Sequence, residues 1–190
     1  MLVNQKAFDL LVEPHVPRPD DAFGKRAYGY GWGITPNFFG SKLVAHSGSV
    51  GIYTASLGYL PDRKVGVSAL ANSGGLDSDI ALYALSLLTG HDPRTLPFVK
   101  TDRILSRLEG QYEAYNGTVG IAVRKRGGIL YIEYKNKYEE QIIPLTPEKL
   151  EEDRATFYVI AAGVKTTFEF EVRDDKIELL DERKKFVKKG

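Results

Sequence analysis

The sequence predicts an α+β chain in two parts: an antiparallel sheet with a flanking helix, then a small all-β up-and-down barrel. Three observations predict it. Charge is unevenly spread, with 8 basic and 8 acidic side chains in residues 1–97 but 18 and 17 in residues 98–190. Glycine runs the other way, 12 against 7. Pro93 and Pro97 fall where the composition changes, and proline suits a linker because it lacks an N–H and fixes φ. The predicted units are therefore residues 1–97 and residues 102–190, joined by a linker over 91–101.

In the first unit, Asn4 to Val12 reads as the end of a helix, stopped by Pro14, Pro17 and Pro19. Four segments rich in aromatic and β-branched residues follow as strands: Tyr28–Ile34, Lys42–Ser47, Ile52–Tyr59 and Val65–Ala71. Pro61-Asp62-Arg63-Lys64 supplies a hairpin turn between the last two. Asn72-Ser73-Gly74-Gly75 supplies a loop. Asp77 or Ser78 then caps a helix over Asp79–Leu88, which Gly90 ends.

The second unit alternates apolar and polar residues over Leu108–Ala114, Val119–Arg126, Ile129–Lys135, Glu139–Leu145, Thr156–Ala161, Thr166–Arg173 and Lys176–Asp181. Asn116-Gly117, Gly127-Gly128, Asn136-Lys137 and Asp174-Asp175 separate them as turns. Seven or eight strands in about 90 residues predict a small barrel or sandwich, one face packed and one wet. Tyr112, Tyr115, Tyr131, Tyr134, Phe157, Tyr158, Phe168 and Phe170 are its expected lining or girdle. The runs Arg124-Lys125-Arg126 and Lys184-Lys185 are expected on its solvated face.

Composition excludes several classes. A net charge of +1 gives no electrostatic case for a nucleic acid or an anionic membrane as partner. No apolar run approaches the roughly 18 residues that cross a bilayer. The start lacks a basic region followed by an apolar core, so a cytoplasmic location is expected. Without cysteine there are no disulfides, cysteine nucleophiles or thiolate metal sites. His15, His46 and His91 lie far apart without metal-ligand spacing, so neither metal nor other cofactor is expected. Asp20-Asp21 and Asp77-x-Asp79 read as loop and cap residues. A single methionine and many Glu/Lys residues are what heat-adapted proteins tend to show.

The stretch that carries chemistry is Lys42-Leu43-Val44-Ala45-His46-Ser47-Gly48-Ser49-Val50-Gly51, which puts a histidine, hydroxyls and glycines at the end of an apolar strand. Three residues alone are a weak signal, equally suited to a strand-end histidine beside a bulge. In order along the chain, Tyr28-Gly29-Tyr30-Gly31-Trp32, His46-Ser47-Gly48, Leu60-Pro61-Asp62 and Ala69-Leu70-Ala71-Asn72 resemble the C-terminal third of the penicillin-recognising serine hydrolases. This superfamily includes class C β-lactamases, D-alanyl-D-alanine peptidases, D-aminopeptidases and the esterase-like CubicO group. His46-Ser47-Gly48 matches its Lys-Thr-Gly element, which many members write His-x-Gly. The resemblance covers roughly residues 4–90. Leu108-Glu109-Gly110-Gln111-Tyr112 is similar to the opening of the lipocalin-like barrel appended to some of these hydrolases, notably archaeal D-peptidases, where it covers the site or holds subunits together.

The resemblance implies a role for each residue. Acyl transfer needs a serine nucleophile, a base, an oxyanion hole and an edge strand to align the substrate. His46 would stand at the pocket wall as a catalytic-site group, and the Ser47 hydroxyl would meet the substrate's polar end. Gly48 would let the substrate backbone approach without a Cβ in the way. The backbone N–H of Ser49 would be one oxyanion donor, and Gly51 would turn the chain.

The chain also departs from the family. No serine is followed three residues later by lysine, as the Ser-x-x-Lys nucleophile requires. The Tyr-x-Asn match, Tyr134-Lys135-Asn136, lies after the His-x-Gly element and is read as chance. No Gly-x-Ser-x-Gly elbow is present. The expectation is a C-terminal piece of a longer hydrolase, with Met1 an internal or misassigned start or the product of a split gene or cleavage. Its partner would be an upstream segment carrying Ser-x-x-Lys, and its substrate a small D-amino-acid peptide, β-lactam-like amide or ester. Alone it is expected to be inactive, with apolar sheet surface left open to a homo-oligomeric or other partner. Two alternatives stand beside this: a non-catalytic barrel module for oligomerisation or a small apolar ligand, and a hydrolase-like scaffold without a nucleophile.

Overall fold

The computed structural model describes residues 4–73, 77–135, 140–174 and 176–190. They fall into two compact units, residues 1–98 and 99–190. The expected Gly74-Gly75 and Asn136-Lys137 turns, the Asp77 cap and Asp175 lie outside what is described.

The first unit opens with helix α1 (Gln5–Leu11), whose first turn is closed by the Asn4 side chain accepting from the Ala7 N–H at 2.9 Å. Six strands follow: β1 (Val16–Asp21), β2 (Gly24–Tyr28), β3 (Gly33–Phe38), β4 (Ser41–Val50), β5 (Tyr53–Leu60) and β6 (Val65–Ala71), then helix α2 (Asp77–Leu88). The strands pair antiparallel in chain order, so the sheet is a meander. Two expectations fail here. Pro17 and Pro19 do not lie in a breaker segment but within β1, an edge strand paired only with β2, where a missing N–H costs nothing if it faces outward. Tyr28–Ile34 is not one strand. It breaks into a turn in which the Gly29 N–H donates to the Trp32 carbonyl at 2.8 Å and Gly31 takes φ +82°.

Register fixes two faces. Val44, His46 and Gly48 of β4 share one face with their partners Tyr59, Leu57 and Ala55, and α1 lies on it with Phe8 edge-on to Tyr59. Ala45 and Ser47 share the other with Gly58 and Ser56. There fully buried Leu85 of α2 sits so close that a Cβ at Gly58 would lie 2.8 Å from its Cδ1. Gly90 ends α2 in the left-handed region, and the His91 N–H returns to the Ser86 carbonyl at 2.9 Å. Large apolar side chains stay exposed at Val50 and Leu70 of the sheet, at Ile52 in the turn between β4 and β5, and at Ile80, Leu87 and Leu88 of α2.

The second unit holds all but the first two residues of helix α3 (Pro97–Leu108), followed by β7 (Gly110–Ala114), β8 (Val119–Arg126), β9 (Ile129–Lys135), β10 (Glu140–Leu150), β11 (Arg154–Ala161), β12 (Val164–Arg173), β13 (Lys176–Asp181) and β14 (Lys184–Lys188). These eight strands close into an antiparallel barrel. Part of the expected linker is helix instead. Pro97 takes the first helical position, where its missing N–H has no intrahelical partner to lose. Ile104, Leu105 and Leu108 lie on the inward stripe and pack into the barrel core. The last strand, β14, also goes beyond the segments read from the sequence.

Of the expected aromatic lining, Tyr112, Phe157, Phe168 and Phe170 are buried inside, with Phe170 edge-on to both Tyr112 and Phe157. Tyr115 is instead exposed, and Tyr158 lies outside under the Lys165 ammonium. The charges decorate the exterior in pairs. Glu133 takes Arg124 and Arg126, while Glu178 takes Lys176 and Lys185, each at 2.6 Å. Exposed pairs of this kind contribute at most about 1 kcal/mol each, so the core and the closed ladder hold the barrel.

Candidate functional site

The residues singled out from the sequence lie together on the outer half of β4. His46, Ser47, Gly48 and Ser49 are all exposed. On one side this half is fully paired, His46 with Leu57 through Val50 with Tyr53 of β5. On the other side, pairing with β3 ends at Gly33↔Ala45. From His46 onward, among the described residues, the strand therefore has a free edge, and alternate backbone N–H and C=O groups along it lack a ladder partner.

Alternation sends the four side chains to opposite faces. His46 points to the α1 face. Its ring meets Trp32 edge-on, 6.4 Å between centroids with planes at 87°. Trp32 is delivered by the Gly29–Trp32 turn, and that turn is tied to α1 by the Tyr30 N–H donating to the Leu11 carbonyl at 3.3 Å. A shallow, open groove runs past Trp32, His46, Gly48, Ala55, Leu57 and Ser68. A Cβ added at Gly48 would meet nothing within 4 Å, so the surface above it is open to an incoming chain. Ser47 faces the α2 side, where a second groove of about 380 Å³ is lined by Arg26, Tyr28, Ala45, Ser56 and Leu85. Both grooves reach the strand edge at His46 and Ser47.

Ser49 follows on the edge opposite Thr54, and Gly51 takes φ +61° in the two-residue turn to β5. Asn72 lies in an exposed bend just after β6, where the Thr54 hydroxyl donates to the Ser73 carbonyl at 3.1 Å. The sequence pointed to Trp32 as part of a strand. That it is the ring facing His46 follows from the turn, which the Gly29-x-Gly31 spacing signals. In the second groove, Arg26 pairs with Asp21 at 3.3 Å while its buried Nε has no acceptor among the described residues.

The other two histidines serve locally. His15 contacts the Leu10 carbonyl and packs on Tyr30, and His91 stacks on Phe39 at 4.6 Å. Among the described residues no three His, Asp or Glu groups converge as metal ligands. No described helix is long and apolar enough to cross a membrane.

Chemically, the outer half of β4 offers a solvent-accessible row of backbone donors and acceptors, flanked by an imidazole, small hydroxyls and a side-chain-free glycine. Such an edge aligns an extended peptide-like ligand by adding it to the sheet.

Comparison with known proteins places both units. Residues 2–90 match the Beta-lactamase family and residues 93–187 match the Pab87 octamerisation domain. The solved structure of the octameric penicillin-binding protein homologue from Pyrococcus abyssi aligns with 98% of this chain and 42% of its own, at 42% identity and a TM-score of 0.87. The chain thus spans less than half the length of that relative. A crystal structure of SurE with D-Leu aligns with 99% of this chain and 44% of its own at 20% identity, with a TM-score of only 0.38. No curated protein matches. The chain belongs to the Pab87 octamerisation domain family, its barrel carried behind a segment of the penicillin-recognising, Beta-lactamase type.

Proposed function

We propose that residues 1–97 supply the substrate-aligning strand of a serine hydrolase acting on D-amino-acid peptides or related small amides and esters. The observation that carries this is the free β4 edge from His46 to Val50, faced by Trp32. In this proposal a substrate lies along that edge over Gly48, with His46 and the Ser47 hydroxyl on its polar groups. The Ser49 N–H donates to the carbonyl oxygen as it becomes an oxyanion. The nucleophile comes from a Ser-x-x-Lys segment, which these 190 residues do not contain. Its serine oxygen attacks the carbonyl carbon, the C–N or C–O bond breaks, the leaving group departs with a proton, and water then hydrolyses the acyl ester.

The test is covalent labelling with a fluorophosphonate or a labelled penicillin. The 190-residue chain is expected to stay unlabelled, and the chain joined to its Ser-x-x-Lys segment to label. Labelling of the chain alone would show that its own residues hold a nucleophile.

The barrel, in the same proposal, holds copies of the protein together. The match over residues 93–187 and the octameric relative support that role. Its interior supports it too, since the space a ligand would need is filled by Tyr112, Phe157, Phe170 and Phe186, all fully buried. Sedimentation of the whole chain tests it, and a monomer at high concentration would count against it.

A further inference from the structure

The two ends of the barrel are built differently. Helix α3 covers one of them. There the Lys125 ammonium, near the end of β8, bonds Asp102 at 2.6 Å, and the Arg107 guanidinium donates to the Asp174 carbonyl just beyond β12 at 3.3 Å. At the opposite end the inward-facing residues of four strands meet solvent. Register puts Tyr134 of β9 beside Gln141 of β10, and Phe168 of β12 beside Asp181 of β13. With Ile143 and Lys184 they line an open pocket of about 370 Å³, a size that small ligands occupy.

Among the described residues Asp181 is the one charged side chain that is buried, at 8% exposure. Its Oδ2 accepts from the Tyr134 hydroxyl at 3.0 Å. Burial, then the Asp181 charge, pushes that phenol above its usual range, so it donates rather than ionises. No cation among the described residues pairs with the carboxylate. Lys184 stands opposite it in the ladder and lines the same pocket, yet closes no ion pair with it. A carboxylate withdrawn from water is costly unless a partner charge compensates it. Glu133 and Glu178, on the barrel's exterior, each hold two cations. The buried carboxylate faces a pocket instead.

We propose that the open mouth of the barrel binds a small organic ammonium ion, its N–H groups on Asp181 and its apolar body against Ile143 and Phe168. An ammonium N–H donates to the Asp181 oxygen that Tyr134 does not take, and charge-assisted bonds of this kind are the stronger ones. The Gln141 amide carbonyl supplies a further acceptor at the pocket wall. The rings of Tyr134 and Phe168 favour an organic cation as well, since aromatic faces attract ammonium groups. A metal ion fits less well. Among the described residues no three ligating groups converge, whereas a hard divalent cation takes about six oxygens or more. The site lies wholly in the barrel unit, so it stands independently of the role proposed for β4.

Titration calorimetry on the full 190-residue chain tests this. The probe is isopentylammonium chloride, with isopentanol as its neutral counterpart and calcium chloride as the rival cation. Isopentylammonium is expected to bind saturably, and isopentanol about tenfold more weakly or worse. Asp181→Asn keeps an acceptor for Tyr134 and removes the charge. It is expected to lose about tenfold in affinity for the amine with an unchanged far-UV circular dichroism spectrum. Lys184→Gln removes the competing cation at the mouth and is expected to tighten binding. No uptake of the amine, equal affinity for amine and alcohol, or wild-type affinity in Asp181→Asn overturns the site. So does calcium that binds more tightly and displaces the amine. If Asp181→Asn loses its fold, Lys184→Gln decides: tighter binding supports the site, and unchanged or weaker binding overturns it. Leucinamide then separates two sources of the ammonium group. Affinity like the amine's identifies amino-acid or peptide ends, and none identifies simple amines, the site being supported in both.

Discussion

Gly29 lies flat against the end of α1, and a Cβ at that position would stand 2.5 Å from the Leu11 carbonyl oxygen and 2.9 Å from that of Glu13. Both obstacles are backbone, so neither can swing aside. The glycine is there because the turn that presents Trp32 to His46 is pressed onto the helix end.

Gly29→Ala is therefore expected to displace the 11–13 segment or the Gly29–Trp32 turn, at a cost of about 1–3 kcal/mol. Trp32 is the only tryptophan, so its fluorescence reports on this unit without interference. The denaturation midpoint read from it should fall, and the native emission should shift as the ring leaves His46. An unchanged midpoint and spectrum would mean that the contact is slack.

A second expectation concerns acid. Hydrogen bonds from Lys176, then from Lys185, hold the Glu178 carboxyl down to about 2 from its ordinary 4.5. Between those values the unfolded chain binds a proton that the native barrel does not. The contribution to stability is therefore fully present above about pH 4.5 and is lost as pH falls toward 2. Both lysines are more than half exposed, so water and salt screen the effect and keep it small. Glu178→Gln should lower the barrel's denaturation midpoint near neutrality, match wild type near pH 2, and converge with wild type in high salt. A deficit that persisted at pH 2 would assign the loss to packing.

How much of this was legible follows from what each residue depends on. The β4 stretch could be read because its apolar alternation and its His-Ser-Gly end are local. The free edge beyond Ala45 could not, because it depends on where β3 stops pairing. Pro17 and Pro19 spoke against a strand, and only their place at the sheet edge makes β1 tolerable. Helix α3 was hidden by Pro93 and Pro97, although the spacing Ile104, Leu105, Leu108 signals an inward stripe. The barrel strands were legible from period-two alternation. Closure is a property of register between segments, which alternation does not carry.

The proposed roles on β4 separate by substitution. In a hydrolase assembled with its Ser-x-x-Lys segment, His46→Ala is expected to lower kcat/KM by about 10²-fold, the scale for losing one positioned catalytic group. Ser49→Ala keeps the backbone N–H and should leave the rate near wild type. Ser49→Pro removes that N–H and is expected to cost on the order of 10²–10³-fold. Equal losses for Ser49→Ala and Ser49→Pro would place the function in the hydroxyl and reject the oxyanion role.

The barrel's link to α3 gives the last expectation. The Tyr112 hydroxyl donates to the Leu108 carbonyl at 2.7 Å, both residues being shut off from solvent. Burial pushes the phenol well above its usual titration range, so it remains a donor at all ordinary pH values. Leu108 is the last residue of α3, and its carbonyl has no further intrahelical N–H to accept from. Tyr112→Phe keeps the ring and its edge-on contact with Phe170 but leaves that carbonyl buried without its donor. The expected cost is about 1–3 kcal/mol, seen by circular dichroism as a lower midpoint for the β-rich transition. The Trp32 transition belongs to the other unit and serves as the internal reference. If the β-rich transition falls in Tyr112→Phe while the Trp32 transition stays where it is in wild type, the loss lies in the barrel; an unshifted β-rich transition would show that the hydroxyl contributes nothing to holding α3 on it.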